Sequence, residues 1–304
     1  MNDAPWHYPV LLDEVMEYLA VRADGVYIDL TAGLGGHTAA IAARLQNGML
    51  ISCDRDAESL EIARRNTAAY ADRVRFHHGE FSTLAHALEA SGIEEVDGIV
   101  ADLGTSRFQL ASGERGFSLM EDGPLDMRMN RNDAGTAGDL VNFLSEKELA
   151  DLIFNLGEER RSRRIAKAIV RGRPIWTTAR LAQVIEEAVP RTGKTHPATQ
   201  TFMALRLKVN RELEELEHLL ENAPARLRSG GRLVVLTFMS TEDRMVKQAF
   251  QALGRSGRAT ILTKHVVRPT EEEVRENPAS RSAKLRALEW NEEGNHGVTS
   301  DNRK

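Results

Sequence analysis

Tyr27–Thr38 reads YIDLTAGLGGHT: residues that suit a short strand, a turn carrying Gly33, Gly35 and Gly36, and helix formers beyond it. A strand that breaks into a glycine turn and then a helix is how a doubly wound α/β sheet begins. The neighbouring sequence keeps the same rhythm. Short β-rich runs at 26–30, 49–53, 74–77 and 98–101 alternate with helical stretches at 39–45, 57–69 and 83–90. Upstream, Val10, Leu11, Val15, Met16 and Leu19 fall on one helix face. This alternation predicts a parallel sheet covered by helices.

The rhythm stops after Leu110. Residues 111–135 are rich in Gly, Asp, Asn and Met without a period and read as a long ordered loop. Only helical patterns follow, at 140–144, 146–156, 160–170, 178–188 and 199–220. GGRLVVLTF at 230–238 then reads as a core strand entered through a Gly-Gly turn, and 259–263 and 284–289 as the last strands. The expected organisation is a discontinuous sheet domain, 1–110 and 211–304, interrupted by a helical domain over 111–210. The polar tail from Asn291 is expected to fray.

Composition narrows the class. With 304 residues, 41% hydrophobic and 28% charged, the chain is long enough for two packed domains. No apolar run approaches the ~18 residues of a membrane span. MNDAPWHYPV lacks the basic start and apolar stretch of a secretion signal, so the expected setting is cytoplasmic, with no membrane partner. A single cysteine, Cys53, excludes an internal disulfide and a multi-cysteine zinc site, and no metal is expected. Cys53 itself reads as a small core residue. The net charge of −5 argues against a nucleic-acid partner until it is resolved along the chain. Residues 160–211 hold thirteen Lys and Arg against Glu186 and Glu187, a local +11, which leaves −16 on the rest. An acidic body with one basic segment suits an enzyme that docks on a polyanion.

Two cofactor classes compete for the glycine turn. A dinucleotide fingerprint wants G-x-G-x-x-G, and Thr38 stands where the last glycine should be. An S-adenosylmethionine site has an acid ending the first strand and closely spaced glycines, which Asp29, Gly33, Gly35 and Gly36 match better. About 20 residues on, CDRD (53–56) ends the second strand, and Asp54 is placed to accept from a ribose diol. Asp56 reads instead as a cap of the next helix. ADLGTSRFQL (101–110) ends the fourth strand at the carboxyl edge, where ligands of such sheets bind. Methyl transfer to an exocyclic amine needs an acceptor for its N–H, and Asp102 supplies one.

HYPVLLDEV (7–15), TAGLGGHT (31–38), GEFSTL (79–84), DLGTS (102–106), RGFSLMEDGPLDMRM (115–129), GEERRSRRIAKAI (157–169), HPATQTF (196–202) and NPASRSAKLR (277–286) follow one another in order. Together they resemble the bacterial ribosomal RNA small-subunit methyltransferase H family over residues 7–288. The resemblance implies a Rossmann-like class I S-adenosylmethionine-dependent methyltransferase sheet with an inserted helical domain. It implies methylation of cytosine N4 of a decoding-centre cytidine in 16S rRNA, with the small ribosomal subunit as partner. It implies cofactor contacts at Gly35, Gly36, His37, Asp54, Phe81, Asp102 and Gln109. It places GPLDMRM near the target base, with Asp126 and Arg128 as polar candidates. Read from the residues alone, His37 is a helix-start residue, Phe81 is core, and Met120, Met127 and Met129 are packing.

Within the basic segment, Arg160, Arg164, Lys167 and Arg171 form one helical stripe, while Ile165 and Ile169 face inward. Lys194, His196, Arg206 and Lys208 are expected to extend this RNA-binding surface. The chain departs from the family at Thr105–Ala111, at Met239 (where histidine is usual), and at Gln200 and Met203 (where arginine and glutamine are usual). Phe108, inside the first departure, is a candidate to stack on a flipped cytosine. The departures at Arg107, Phe108 and Met239 keep a non-catalytic ribosome-assembly factor open; the other rivals are a methyltransferase with another acceptor such as DNA cytosine, and an NAD enzyme, which Thr38 disfavours. A monomer and a homodimer both fit the sequence.

Overall fold

The computed structural model describes residues 9–191, 193 and 195–291. The chain divides into two compact units: residues 1–54, 60–104 and 217–304, and residues 55–59 and 105–216. The second unit runs from 105 to 216, where the helical insertion was expected over 111–210, and takes in the short segment 55–59 that follows β2.

In chain order the first half of the sheet unit runs α1 (Leu12–Leu19), β1 (Val26–Asp29), α2 (Gly36–Arg44), β2 (Met49–Asp54), α3 (Ala57–Asn66), β3 (Val74–His78), α4 (Leu84–Ala90) and β4 (Val96–Asp102). The helical unit holds α5 (Arg107–Ala111), α6 (Ala137–Phe143), α7 (Glu146–Gly157), α8 (Ser162–Gly172), α9 (Thr178–Ala188) and α10 (Thr199–Val209), and α11 (Glu212–Asn222) crosses the boundary. The sheet unit then ends with β5 (Leu227–Thr237), α12 (Ser240–Arg255), β6 (Ala259–Ile261), α13 (Glu271–Glu276) and β7 (Lys284–Trp290).

The seven strands lie in the order β3-β2-β1-β4-β5-β7-β6. β1 to β5 are parallel to one another, whereas β7 is inserted between β5 and β6 and runs antiparallel to both. The parallel sheet expected from the first hundred residues holds for β1 to β4, and β7 with β6 forms an antiparallel extension beyond β5. The central strands are apolar because helices cover both faces. Leu11, Val15 and Leu19 of the α1 region pack with Ile41, Leu50, Val100, Val234 and Leu285 in one cluster. Asp97 ties the strand starts together, accepting from Val26 N at 2.7 Å, Arg22 at 2.6 Å and Arg228 at 2.9 Å. Gly230-Gly231 is not the entry turn of β5. It lies inside the strand, where pairing slips from Val96↔Leu227 to Gly98↔Arg232 and Gly230 takes φ +76°; this is a bulge.

The helical unit has its own core, with Leu149, Ile153, Ile165, Ile169, Leu181, Ile185 and Leu205 all fully buried. Reciprocal capping boxes at Ser106/Gln109, Thr136/Asp139 and Ser145/Glu148 start α5, α6 and α7. The continuous helix expected over 199–220 is broken at Asn210–Arg211, where Arg211 takes φ +50°. Asn210 is fully buried, and its amide is used elsewhere: Oδ1 accepts from Met129 N at 2.7 Å and Nδ2 donates to Met127 O at 2.7 Å.

Candidate active site and basic helix

β1 delivers Asp29 to the carboxyl edge of the sheet. Asp29 has no exposed surface; Thr38 Oγ1 donates to its Oδ2 at 2.7 Å and Thr31 N to its Oδ1 at 3.1 Å. Burial pushes its carboxyl up to about 6. Expected as a cofactor contact, Asp29 is instead enclosed and braces its own turn. The turn itself needs its glycines. Gly33 and Gly35 take φ of +52° and +92°, and a Cβ on Gly35 would meet Ala63 Cα at 3.2 Å. Gly36 has an ordinary φ, but a Cβ there would meet Pro9 Cβ at 3.0 Å. Asp54, at the end of β2, holds the turn by accepting from Gly33 N at 2.8 Å. Phe81, half-buried, opens the 3-10 turn that follows β3. Cys53 is buried, which pushes its thiol far up and fits a core role.

His37, in the first turn of α2, is 5% exposed, and its Nε2–H donates to Val10 O at 3.2 Å. Burial lowers its pKa to about 4, so the ring is neutral and Nδ1 carries a lone pair. That nitrogen lies 4.0 Å from Asp102 Oδ2. Asp102 closes β4, with its N–H on Thr31 Oγ1 at 2.7 Å. Burial, then Asp29 and Glu242, push its carboxyl up to about 8. Glu242 was not foreseen from sequence; it is buried and accepts from Phe238 N and Met239 N. Among the described residues, Asp102 Oδ1 is a buried acceptor with no hydrogen-bond partner. An orphaned carboxylate oxygen costs free energy unless a ligand donor meets it. With a glycine cradle, a free helix N-terminus and Asp54, the donor and acceptor set fits a nucleoside cofactor bearing an ammonium.

In the helical unit, the stretch 124–129 is fastened on several sides. Pro124 pairs with Thr177, Leu125 N donates to Trp176 O at 2.9 Å, and Met127 N donates to Arg115 O at 3.0 Å. Met127 is forced to φ +63° while only 1% exposed. Arg128 grips Asp126 with Nε at 2.7 Å and Nη2 at 2.8 Å, and its Nη1 donates to Arg131 O and Asp133 O. The two polar candidates of this loop are thus engaged with each other and hold its shape. Gln109 is likewise occupied: its Oε1 accepts from Ser106 N at 3.0 Å and its Nε2 donates to Asp56 at 2.7 Å.

Arg115 was quoted within a motif but given no role from sequence. It is 2% exposed, 2.9 Å from Asp56 and 2.8 Å from Glu58, and it donates to the carbonyls of Arg128 and Met129 at 3.1 and 2.9 Å. Through it the 126–129 loop is tied to the segment that follows Asp54 in the chain. Arg115→Leu takes the guanidinium away from the buried Asp56 carboxylate, which is expected to cost about 3–5 kcal/mol. Urea denaturation checks this; a loss below about 1 kcal/mol contradicts the role, and adding Asp56→Asn is expected to restore part of the loss.

A family model described as the MraW methylase family matches residues 4–291. The chain belongs to the MraW methylase family. Ribosomal RNA small subunit methyltransferase H of Solibacter usitatus (strain Ellin6076) is 60% identical over 283 residues, covering 93% of this chain and 99% of that protein. The proteins of that name from Acidobacterium capsulatum and Thermotoga neapolitana are 49% and 48% identical, over 93% and 95% of this chain and 98% and 97% of theirs. An rRNA methylase structure from Streptococcus thermophilus superposes with a TM-score of 0.41 at 14% identity, over 92% of this chain and 94% of that one.

In this methylase, α8 turns Ile165, Ala166 and Ile169 into the core and leaves Arg164, Lys167 and Arg171 exposed, with Arg160 exposed just before the helix. Arg163 joins them, unforeseen. Among the described residues none of these five cations has an acidic partner, whereas Arg161 is held by Glu159 at 3.0 Å. The expected extension of the surface is weaker. Arg206 is bound by Glu212 at 2.8 and 3.0 Å, Lys208 lies 4.0 Å from Glu214, and His196 Nδ1 accepts from Ala198 N. Lys194 lies outside the described residues. No group of three His, Cys, Asp or Glu side chains suited to a metal occurs among the described residues, and no helix is long and apolar enough to cross a membrane.

Proposed function

We propose that the chain methylates the N4 amine of a cytidine in 16S rRNA of the small ribosomal subunit, with S-adenosylmethionine as donor. The observation that carries this reading is the unpartnered, buried Oδ1 of Asp102 at the end of β4, beside the glycine turn. The names of the relatives support the rRNA class, and the free cations of α8 support a phosphate-bearing substrate.

S-adenosylmethionine supplies an electrophilic methyl on a sulfonium. The turn 33–36 and the N-terminus of α2 hold its amino-acid end, and Asp54 accepts from its ribose hydroxyls. Phe81 packs beside its adenine, a role that rests on the family resemblance. Asp102 accepts an N–H of the cytosine amine, which withdraws the nitrogen lone pair from ring conjugation and aims it at the methyl. The same carboxylate is positioned to take the proton that N4 loses. Neutral His37, fixed by Val10 O, presents a lone pair and no competing N–H toward Asp102. Positioning of this kind supplies about 7–11 kcal/mol of barrier reduction. α8 and Arg160 track the phosphate backbone.

Incubating the protein with methyl-labelled S-adenosylmethionine and small ribosomal subunits that lack the modification tests the reading. Label in cytidine N4 supports it. Cofactor binding without transfer returns the non-catalytic assembly factor, and label in DNA but not RNA returns the other acceptor.

A further inference from the structure

Every large apolar side chain that is exposed among the described residues (Leu110, Met120, Phe143, Phe154 and Trp176) belongs to the helical unit. Two of them are aromatic and touch. Phe143 and Trp176 are 75% and 50% exposed, with ring centroids 6.2 Å apart and planes at 62°, an edge-to-face pair. Such an arrangement leaves a ring face open to solvent.

The pair is displayed by a fixed frame. Asn142 Oδ1 accepts from Ile175 N at 2.8 Å, and its Nδ2 donates to Ile175 O at 2.6 Å and to Gly138 O at 2.8 Å. Arg173 fastens the same segment to Val141 O and Leu144 O at the end of α6. A Cβ on Gly138 would come within 3.1 Å of Trp176 Cε3, so the indole lies directly on α6. Trp176 O accepts from Leu125 N, and Thr177 pairs with Pro124, which joins the aromatic pair to the 124–129 loop.

Cations flank Trp176 in the sequence. Exposed Arg171 ends the α8 stripe five residues before Trp176, and exposed Arg180 follows it by four. Asp122, beside Thr178, is spent on the backbone N–H groups of Gly123 and Ala179. Exposed aromatic faces set among unpaired cations are the means by which proteins hold unpaired RNA bases. We infer that Trp176, braced by Phe143, is a stacking platform for an unpaired base of the substrate RNA. This rests on the RNA reading above; a protein partner or a second copy of the chain is an outcome of the test.

The test compares wild type with Trp176→Leu, Trp176→Phe and Phe143→Ala. Binding of a short single-stranded oligocytidylate is read directly, and methyl transfer to small subunits is read as KM against kcat. Leucine keeps an apolar cover over Gly138, so it separates lost stacking from lost packing. Trp176→Leu is expected to weaken oligonucleotide binding at least about fivefold, the low end for one stacked base. KM for the subunit rises in step, kcat and S-adenosylmethionine affinity stay unchanged, and Trp176→Phe remains within about twofold of wild type. Wild-type binding is also expected to quench indole fluorescence in a way that Trp176→Phe removes. Unchanged oligonucleotide affinity in Trp176→Leu overturns the proposal. A shift of that variant to a smaller species on sizing overturns it too, because it assigns the pair to a contact between copies. If the wild type binds the oligonucleotide but transfers no methyl, the reading of function fails while the platform is still judged by binding.

Discussion

Replacing Asp102 by alanine is expected to lower methyl transfer at pH 8 by about 10²–10⁴-fold, the range for removing a positioned acid–base group. The loss follows from the absence of any other oxygen assigned to receive the amine N–H. The pH dependence provides a sharper check. In the free protein the Asp102 carboxyl sits near 8, raised by burial and by Asp29 and Glu242. Only the carboxylate accepts an N–H through either oxygen, so kcat/KM for RNA is expected to rise with pH up to about 8 and then level. Asp102→Asn keeps one acceptor oxygen but cannot titrate, so whatever activity it retains is expected to lose that rise.

Stability moves the other way. In the unfolded chain the carboxyl ionises at its ordinary value of 3.8, whereas the folded protein holds the proton to about 8. The stability that goes with the folded, protonated form is fully present below the lower value and is lost as pH climbs to the upper one. Asparagine avoids that loss. Its Tm is expected to exceed that of wild type by several degrees at pH 8, with the difference vanishing near pH 4. An alanine variant within about threefold of wild-type rate, or an asparagine variant that keeps the same pH rise, contradicts the assignment.

Changing Arg160, Arg164, Lys167 and Arg171 together to glutamine is the second large effect. Each phosphate contact contributes about 0.7 to the slope of log affinity against log salt for single strands, and about 0.9 for duplex. Losing four contacts is expected to flatten the slope by about 3 and to weaken binding at low salt by two orders of magnitude or more. The fold is expected to hold, because Ile165, Ala166 and Ile169 provide the inward packing of α8. S-adenosylmethionine affinity is expected to be unchanged. Arg206→Gln serves as the contrast: its guanidinium is already bound by Glu212, so it is expected to shift the slope little. An unchanged slope in the fourfold variant shows that RNA binds elsewhere.

The sheet was legible because its strands are short, apolar and spaced by helix-length segments, and the glycine turn marks where ligands bind. The reversal of β7 was not legible, since direction in a sheet leaves no periodic trace in an apolar run. The break at Asn210 was hidden for a related reason: helical periodicity runs through it, and only the buried loop at 127–129 requires its amide. Charge counting located the basic segment but could not say which cations stay free. Arg161 and Arg206 are neutralised by Glu159 and Glu212, both of them just outside the counted window. Asp126, Arg128 and Gln109 look like contacts in a motif, yet their polar atoms are engaged by neighbours. Arg115 carries no distinctive sequence signal, because a buried arginine reads as an ordinary charged residue.

Nucleoside mass spectrometry of 16S rRNA tests the central claim most directly, using cells that lack this protein and the same cells complemented with wild type or Asp102→Ala. The expected result is N4-methylated cytidine lost on deletion, restored by wild type and not restored by the variant. An unchanged level after deletion, or full restoration by Asp102→Ala, would contradict the account.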